Sequence, residues 1–325
     1  MKFAPAGADH VRNSRLRSVR QRRNRRTTST IGENERGPDV ACKAFGYCER
    51  GVTMSAIAKG AAVPCRSITT EEVDHFHEFG WAKLQRFVDW AYVGILLQIA
   101  RERMGDDADS NEGKSSGTGT SYFNALFTGG LAHPELRRLI EQVGKNAKVL
   151  MRRRSGIGVR YYNDLFVPKL PSSKTSKHGG NGPTAFHQDF MNFGVDRTGG
   201  MTWWLPLEAY GPDAGTMCFV SKSHRMGVLG DFRTYGAGDV FDVYPELRDL
   251  EVTAPMTYEL GDVSVHSHLT IHGAGANITD KPRWAYMLLT QPADACWNGA
   301  PSPNFDSSDM KPWQLLDGER FPMIG

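Results

Sequence analysis

The stretch Phe186-His187-Gln188-Asp189-Phe190 sets an imidazole and a carboxylate two positions apart in apolar surroundings. The histidines that could complete a set with them lie far downstream, at 266, 268 and 272. On a β-strand, residues two apart share a face, so one imidazole nitrogen and one carboxylate oxygen can reach the same point. Two ligands hold a redox metal poorly, and a third from so distant a segment can arrive only in a closed fold. Two His and one carboxylate form the donor set of non-haem Fe(II) oxygenases, which leaves three coordination positions open. Arg283 follows a short turn, Asn277 to Lys281, and a basic side chain on a returning strand could grip a carboxylate bidentately beside that metal.

The spacing does not choose the third ligand. His266, His268 and His272 fall in one strand-like segment, and their even spacing puts all three on one face.

Composition narrows the class. The chain has 325 residues, 40% hydrophobic and 23% charged, as expected of a soluble globular protein with one large domain or two small ones. No apolar run approaches the ~20 residues of a membrane span. The formal net charge of +3 is uneven: residues 1–53 carry 12 Lys/Arg against 5 Asp/Glu, and the remainder 27 against 31. The basic character therefore belongs to the N-terminal arm, and the folded region is not expected to bind nucleic acid. Five cysteines without a Cys-x-x-Cys pair argue against a disulfide framework or a zinc ribbon and for a reducing, cytoplasmic setting.

Residues 1–66 read as a basic, disordered extension, because eight arginines between 12 and 26 stand among too few apolar residues to build a core. Arg and Ser richness also fits a transit peptide, and Met54 is an alternative start. Residues 67–325 read as the catalytic domain. Thr69 with Glu72 forms a capping box at the head of a helix that Gly80 ends. A weak strand is expected over 81–87 and two helices over 89–104 and 134–149, the first presenting Trp90, Val93, Gly94 and Leu97 to the core. Residues 105–120 read as a flexible loop, and 171–183 as a polar loop placed to cover a site. Strands are expected over 156–168, 201–207, 216–220, 251–259, 261–272 and 283–290, the texture of a sandwich or barrel.

Beyond the His-Gln-Asp stretch, the chain resembles the phytanoyl-CoA dioxygenase family of Fe(II)/2-oxoglutarate oxygenases. The resemblance rests on Gly261-Asp262, His272-Gly273, Asn277 and Arg283, with Lys169-Leu170-Pro171, Trp204-Leu205-Pro206-Leu207, Ala214-Gly215-Thr216-Met217 and Ser221-Lys222-Ser223-His224-Arg225 around them, and covers roughly 66–292. It implies a mainly β fold with flanking helices around a double-stranded β-helix (jelly-roll, cupin-like) core. It implies His187, Asp189 and His272 as Fe(II) ligands, with His266 and His268 as bystanders. It implies Arg283 on the C5 carboxylate of 2-oxoglutarate, Trp204 and Lys169 near that cosubstrate, O2 as oxidant and a small-molecule substrate. Many relatives carry Ser or Thr two residues after the distal His, where this chain has Ala274. Relatives that halogenate lack the carboxylate, so Asp189 implies hydroxylation or a related oxidation. Tyr161, Tyr162, Phe193, Trp203 and Trp297 are further candidates to line a substrate pocket. A cupin-like metal enzyme without 2-oxoglutarate, and a β-sandwich binding module with a nucleic-acid-binding arm, are the competing readings.

Overall fold

The computed structural model describes residues 63–109, 114–115, 124–152, 157–174, 182–230, 239–302 and 304–325. The basic arm up to residue 62, most of the 105–120 loop and the centre of the 171–183 loop lie outside these residues. Pro64 and Cys65 are buried and Arg66 pairs with Glu72 at 2.6 Å, so the packed chain starts a few positions before 67.

Helix α1 (Thr70–Phe79) opens on the expected capping box. The Thr69 hydroxyl accepts from the Glu72 N–H, and the Glu72 carboxylate accepts from the Thr69 N–H. Such a cap is worth ~1 kcal/mol. Gly80 closes the helix at φ 84°, the left-handed conformation that glycine adopts without penalty. Strand β1 (Trp81–Leu84) leads to α2 (Trp90–Met104), whose first turn is capped by the Asp89 carboxylate. The buried side of α2 is broader than the expected stripe: Tyr92, Leu96 and Ala100 are buried with Val93 and Leu97, and Gly94 is exposed. A short pair, β2 (Lys114–Ser115) and β3 (Asn124–Phe127), precedes α3 (Pro134–Met151), which buries Leu136, Leu139, Ile140, Val143, Ala147 and Leu150 at helical spacing.

The remaining strands are β4 (Val159–Phe166), β5 (Thr184–His187), β6 (Met201–Pro206), β7 (Met217–Phe219), β8 (Val263–Ser267), β9 (His272–Ala274) and β10 (Ala285–Pro292), with the short helix α4 (Val240–Val243) between β7 and β8. They form a seven-stranded sheet in the order β1-β8-β6-β10-β4-β3-β2 and a three-stranded sheet in the order β5-β9-β7. Every pairing between these strands is antiparallel. Alternation along β10 divides its side chains: Tyr286 and Leu288 join the core shared with α2 and α3, while Ala285 and Leu289 pack with Trp204, Met217 and Phe219.

Two expectations fail here. Residues 251–259 form no continuous strand: isolated bridges at Val252 and Tyr258 and scattered backbone hydrogen bonds, such as Thr253 N–H to the Phe219 carbonyl and Met256 N–H to the Met217 carbonyl, tie them to their neighbours. The segment 261–272 is not one strand either. β8 ends at Ser267, a turn follows, and His272 begins β9 in the other sheet. Thr270 N–H to Ser267 C=O, at 2.8 Å, closes that turn. Among the described residues no helix is long and apolar enough to cross a membrane.

Candidate metal centre

Register in the small sheet brings the distant residues together. β5 pairs with β9 so that His187 stands directly opposite His272, with ring centroids 4.4 Å apart. Asp189 lies just past the end of β5, with φ −71° and ψ −31°, so it is not on the same strand face as His187. The turn itself brings its carboxylate back. Gln188 holds that turn: its Nε2 donates to the Leu269 and Gly227 carbonyls at 2.7 and 2.8 Å, and its Oε1 accepts from the Leu229 N–H. Phe190 N–H donates to the His268 carbonyl. On the other side, the Ser223 hydroxyl accepts from the Ile271 N–H at 2.8 Å and fixes the entry to His272.

The result is three ligand atoms facing one point. His187, Asp189 and His272 are all buried, and one ligand atom from each lies within 4.8 Å of the others. Asp189 Oδ1 is 3.4 Å from His187 Nε2 and 3.6 Å from His272 Nε2. Each ring turns Nδ1 to a carbonyl, Ala185 at 2.8 Å and Thr270 at 3.0 Å. A carbonyl can only accept, so Nδ1 carries the proton and Nε2 keeps its lone pair toward the centre. Burial pushes the His272 imidazolium form well out of reach, so this ring is neutral. Burial opposes ionisation of Asp189, but His272, then His187 and His266, outweigh it and hold the carboxyl well below its ordinary value. Neutral imidazole and ionised carboxylate are the forms that bind a metal.

His266 and His268 separate from His272. His266, on β8, puts Nε2 3.1 Å from Asp189 Oδ2, and the Thr202 hydroxyl of β6 donates to the same oxygen at 2.6 Å. His268 packs against Phe193 at 4.3 Å, and burial pushes it down to about 3. The expectation that geometry could not distinguish the three histidines is therefore corrected by the turn between β8 and β9.

A cavity adjoins the triad, lined also by Val167, Thr184, Thr202, Trp204, Met217, His266, Gly273, Ala274, Arg283 and Met287. Arg283 is 4% exposed, and its guanidinium sits 5.1 Å from the Trp204 ring. It donates to the Gly215 and Val167 carbonyls at 2.7 and 3.2 Å, and its Nε has no partner. Among the described residues it meets no carboxylate, and burial lowers it to about 10. The nearby acid Asp262 is paired instead with Lys83 at 2.9 Å. Gly215, at φ 68°, is required where it stands, since a Cβ there would meet the Gly275 carbonyl at 2.5 Å.

Lys169 is fully buried and pairs backbone to backbone with Arg283. It does not line the cavity. Its Nζ donates to the Thr184 hydroxyl at 3.0 Å and the Gly275 carbonyl at 2.7 Å, bracing the wall from behind. Burial, with Arg283 nearby, lowers it to about 6. Tyr161, Tyr162, Phe193, Trp203 and Trp297 do not line the cavity. Tyr161 and Trp203 join the core under the helices, and Tyr162, Phe193 and Trp297 pack in a second core. Val167, Thr184, Thr202, Met217 and Met287 are the lining residues to which sequence reasoning gave no site role.

Residues 58–285 match a family model described as phytanoyl-CoA dioxygenase (PhyH). No curated protein matches the sequence. In structure the chain is similar to SnoK, a non-heme alpha ketoglutarate dependent carbocyclase from nogalamycin biosynthesis, at 24% identity and TM-score 0.63 over 79% of this chain and 97% of that one. It is similar to SnoN, a non-heme alpha ketoglutarate dependent epimerase of the same biosynthesis, at 21% identity and TM-score 0.61 over 78% and 98%. It is also similar to EctD from S. alaskensis, at 18% identity and TM-score 0.56 over 77% and 84%. These likenesses establish the fold: the two antiparallel sheets are a jelly roll of the double-stranded β-helix kind.

Proposed function

Because the chain belongs to the phytanoyl-CoA dioxygenase family, we propose that it is an Fe(II)- and 2-oxoglutarate-dependent dioxygenase. It hydroxylates an unactivated C–H bond of a small-molecule substrate and releases succinate and CO2. The observation that carries this reading is the Arg283 guanidinium, buried beside three converging ligand atoms with no carboxylate among the described residues to neutralise it. A buried charge without a partner costs several kcal/mol. A site built to receive an anion recovers that cost when the anion arrives.

The residues fit the group they would hold. His187, Asp189 and His272 are the donor set for Fe(II) and leave positions for a two-oxygen chelator. Arg283 takes the C5 carboxylate of 2-oxoglutarate through its unpartnered face, and Trp204 flanks it. Lys169 holds Thr184 in the wall and the Gly275 carbonyl behind it. Val167, Met217 and Met287 give the cavity apolar sides that exclude water. When bound, the iron and the keto acid supply the oxidising power for O2 chemistry, and the protein supplies position and dryness. The intact carboxylate of Asp189 favours hydroxyl transfer. We assign this activity to the chain that follows the basic arm.

The test is anaerobic. Fe(II) and then 2-oxoglutarate should produce the visible metal-to-ligand charge-transfer band in the wild type, and His187→Ala and Arg283→Ala should each lose it. A folded wild-type protein without the band would refute the assignment. Substrate-stimulated succinate release, screened over small molecules, would then identify the hydroxylated compound.

A further inference from the structure

The two oxygens of Asp189 face different surroundings. Oδ1 looks at His187 and His272. Oδ2 accepts from the Thr202 hydroxyl at 2.6 Å and meets His266 Nε2 at 3.1 Å. The two donors are not chance neighbours. Thr202 on β6 and His266 on β8 are direct cross-strand partners in the seven-stranded sheet, 1% and 0% exposed. His266 Nδ1 has no hydrogen-bond partner among the described residues, so the proton it shares faces Asp189 through Nε2.

A carboxylate beside a divalent ion can bind through one oxygen or through both. In the second mode Asp189 would occupy one of the positions that an incoming chelator needs. Swinging Oδ2 toward the centre would strip it of both donors and leave them unpaired in a dry interior, which is costly for each. We infer that Thr202 and His266 are positioning residues that pin Oδ2 of Asp189, so that this side chain serves as a one-oxygen metal ligand and the remaining positions stay open. His266 thereby has a defined task and is not a fourth metal ligand, because its inward nitrogen is already engaged. The inference rests on the metal-dependent function proposed above.

The experiment uses the full chain and Co(II) as a spectroscopic stand-in for Fe(II), titrated anaerobically. Thr202→Val and His266→Phe remove one donor each, while Thr202→Ser and His266→Gln retain one. Loss of such a support typically weakens metal binding about 10–100-fold. Thr202→Val and His266→Phe should therefore bind Co(II) about 10–100-fold more weakly and alter its visible spectrum. Thr202→Ser should restore wild-type behaviour, and His266→Gln should recover part of it. If His266→Phe does not fold, the Thr202 pair decides alone. Wild-type affinity and spectrum in the folded donor-less variants would overturn the inference, and so would weakened binding that the conservative variants fail to rescue. A wild type that binds no Co(II) overturns both this inference and the proposed function. A wild type that binds Co(II) but gives no band with Fe(II) and 2-oxoglutarate sinks the function alone.

Discussion

Two buried aspartates, on opposite faces of the seven-stranded sheet, behave differently. Asp164 on β4 is fully buried near α3 and is saturated: the Tyr161 and Tyr286 hydroxyls donate at 2.6 and 2.8 Å, and the Gly130 N–H adds to both oxygens. These donors belong to the fold, and burial still raises its carboxyl above the ordinary value. Asp189, between the sheets, has one oxygen satisfied by hydrogen bonds and one aimed at two imidazole nitrogens whose rings turn their protons away to backbone carbonyls. Burial of a carboxylate is thus no sign of function. A lone pair left over after the protein's own donors are counted is the better sign.

The strongest way to break the comparison is to delete each carboxylate. Asp189→Ala, like His187→Ala or His272→Ala, should abolish the anaerobic charge-transfer band, whereas Asp164→Asn should keep it and lose about 1–3 kcal/mol of stability in urea denaturation. A band that survives in Asp189→Ala would leave the two residues functionally alike.

Next in size is Arg283→Ala. Removing one partner of a buried charged pair costs about 2–5 kcal/mol, so 2-oxoglutarate affinity should fall by roughly 1.5 to 3.5 orders of magnitude. Co(II) affinity should stay near wild type, separating the anion site from the metal site.

The comparison sharpens in its dependence on pH. The folded-state value of Asp164 lies above the unfolded one, near 4. Its contribution is therefore fully present below about 4 and is lost as pH rises through the folded value. Wild-type stability relative to Asp164→Asn should fall over that rise. Lys169 runs the other way. Its folded value of about 6 lies below the ordinary 10.5, so its cost is largest below 6 and is relieved as pH climbs toward 10.5. Lys169→Met should flatten that climb in apoprotein denaturation curves.

The smallest effect is expected at Ala274, whose Cα partner across the sheet is Thr184. Ala274→Ser adds a hydroxyl to the cavity wall. At about 0.5–1.5 kcal/mol for a new hydrogen bond, 2-oxoglutarate binding should tighten a few-fold, as measured by the same band.

Much of this site was legible in sequence because its chemistry is concentrated in rare residue types at fixed spacings. His187, Asp189, His272 and Arg283 lie around one cavity, although the spacing left His272 undistinguished from its neighbours and Asp189 reaches the cavity from a turn and not from the strand face of His187; α1 and α3 follow from capping and periodicity. What was not legible depends on turns and register. The even spacing of His266 and His272 suggested one strand, and only the turn after Ser267 sends them to different sheets. Thr202 looks like any strand threonine until the β6–β8 register sets it opposite His266. Met217 and Met287 read as generic core, because an apolar residue facing a cavity and one facing a core have the same pattern. Residues 251–259 have the composition of a strand but pair with their neighbours only intermittently, through isolated bridges and scattered hydrogen bonds, and periodicity does not distinguish that from a continuous ladder.

His187 and His272 stand on the three-stranded sheet, while the far oxygen of Asp189 is tethered to the seven-stranded one. An ion gripped by all three side chains is therefore a rivet through the sandwich. Chelation should draw it, and the amide protons of β5, β9 and β7 should then exchange with deuterium faster than those of β4 and β10. The same atoms that equip the pocket for chemistry would set how tightly the two halves of the jelly roll are fastened.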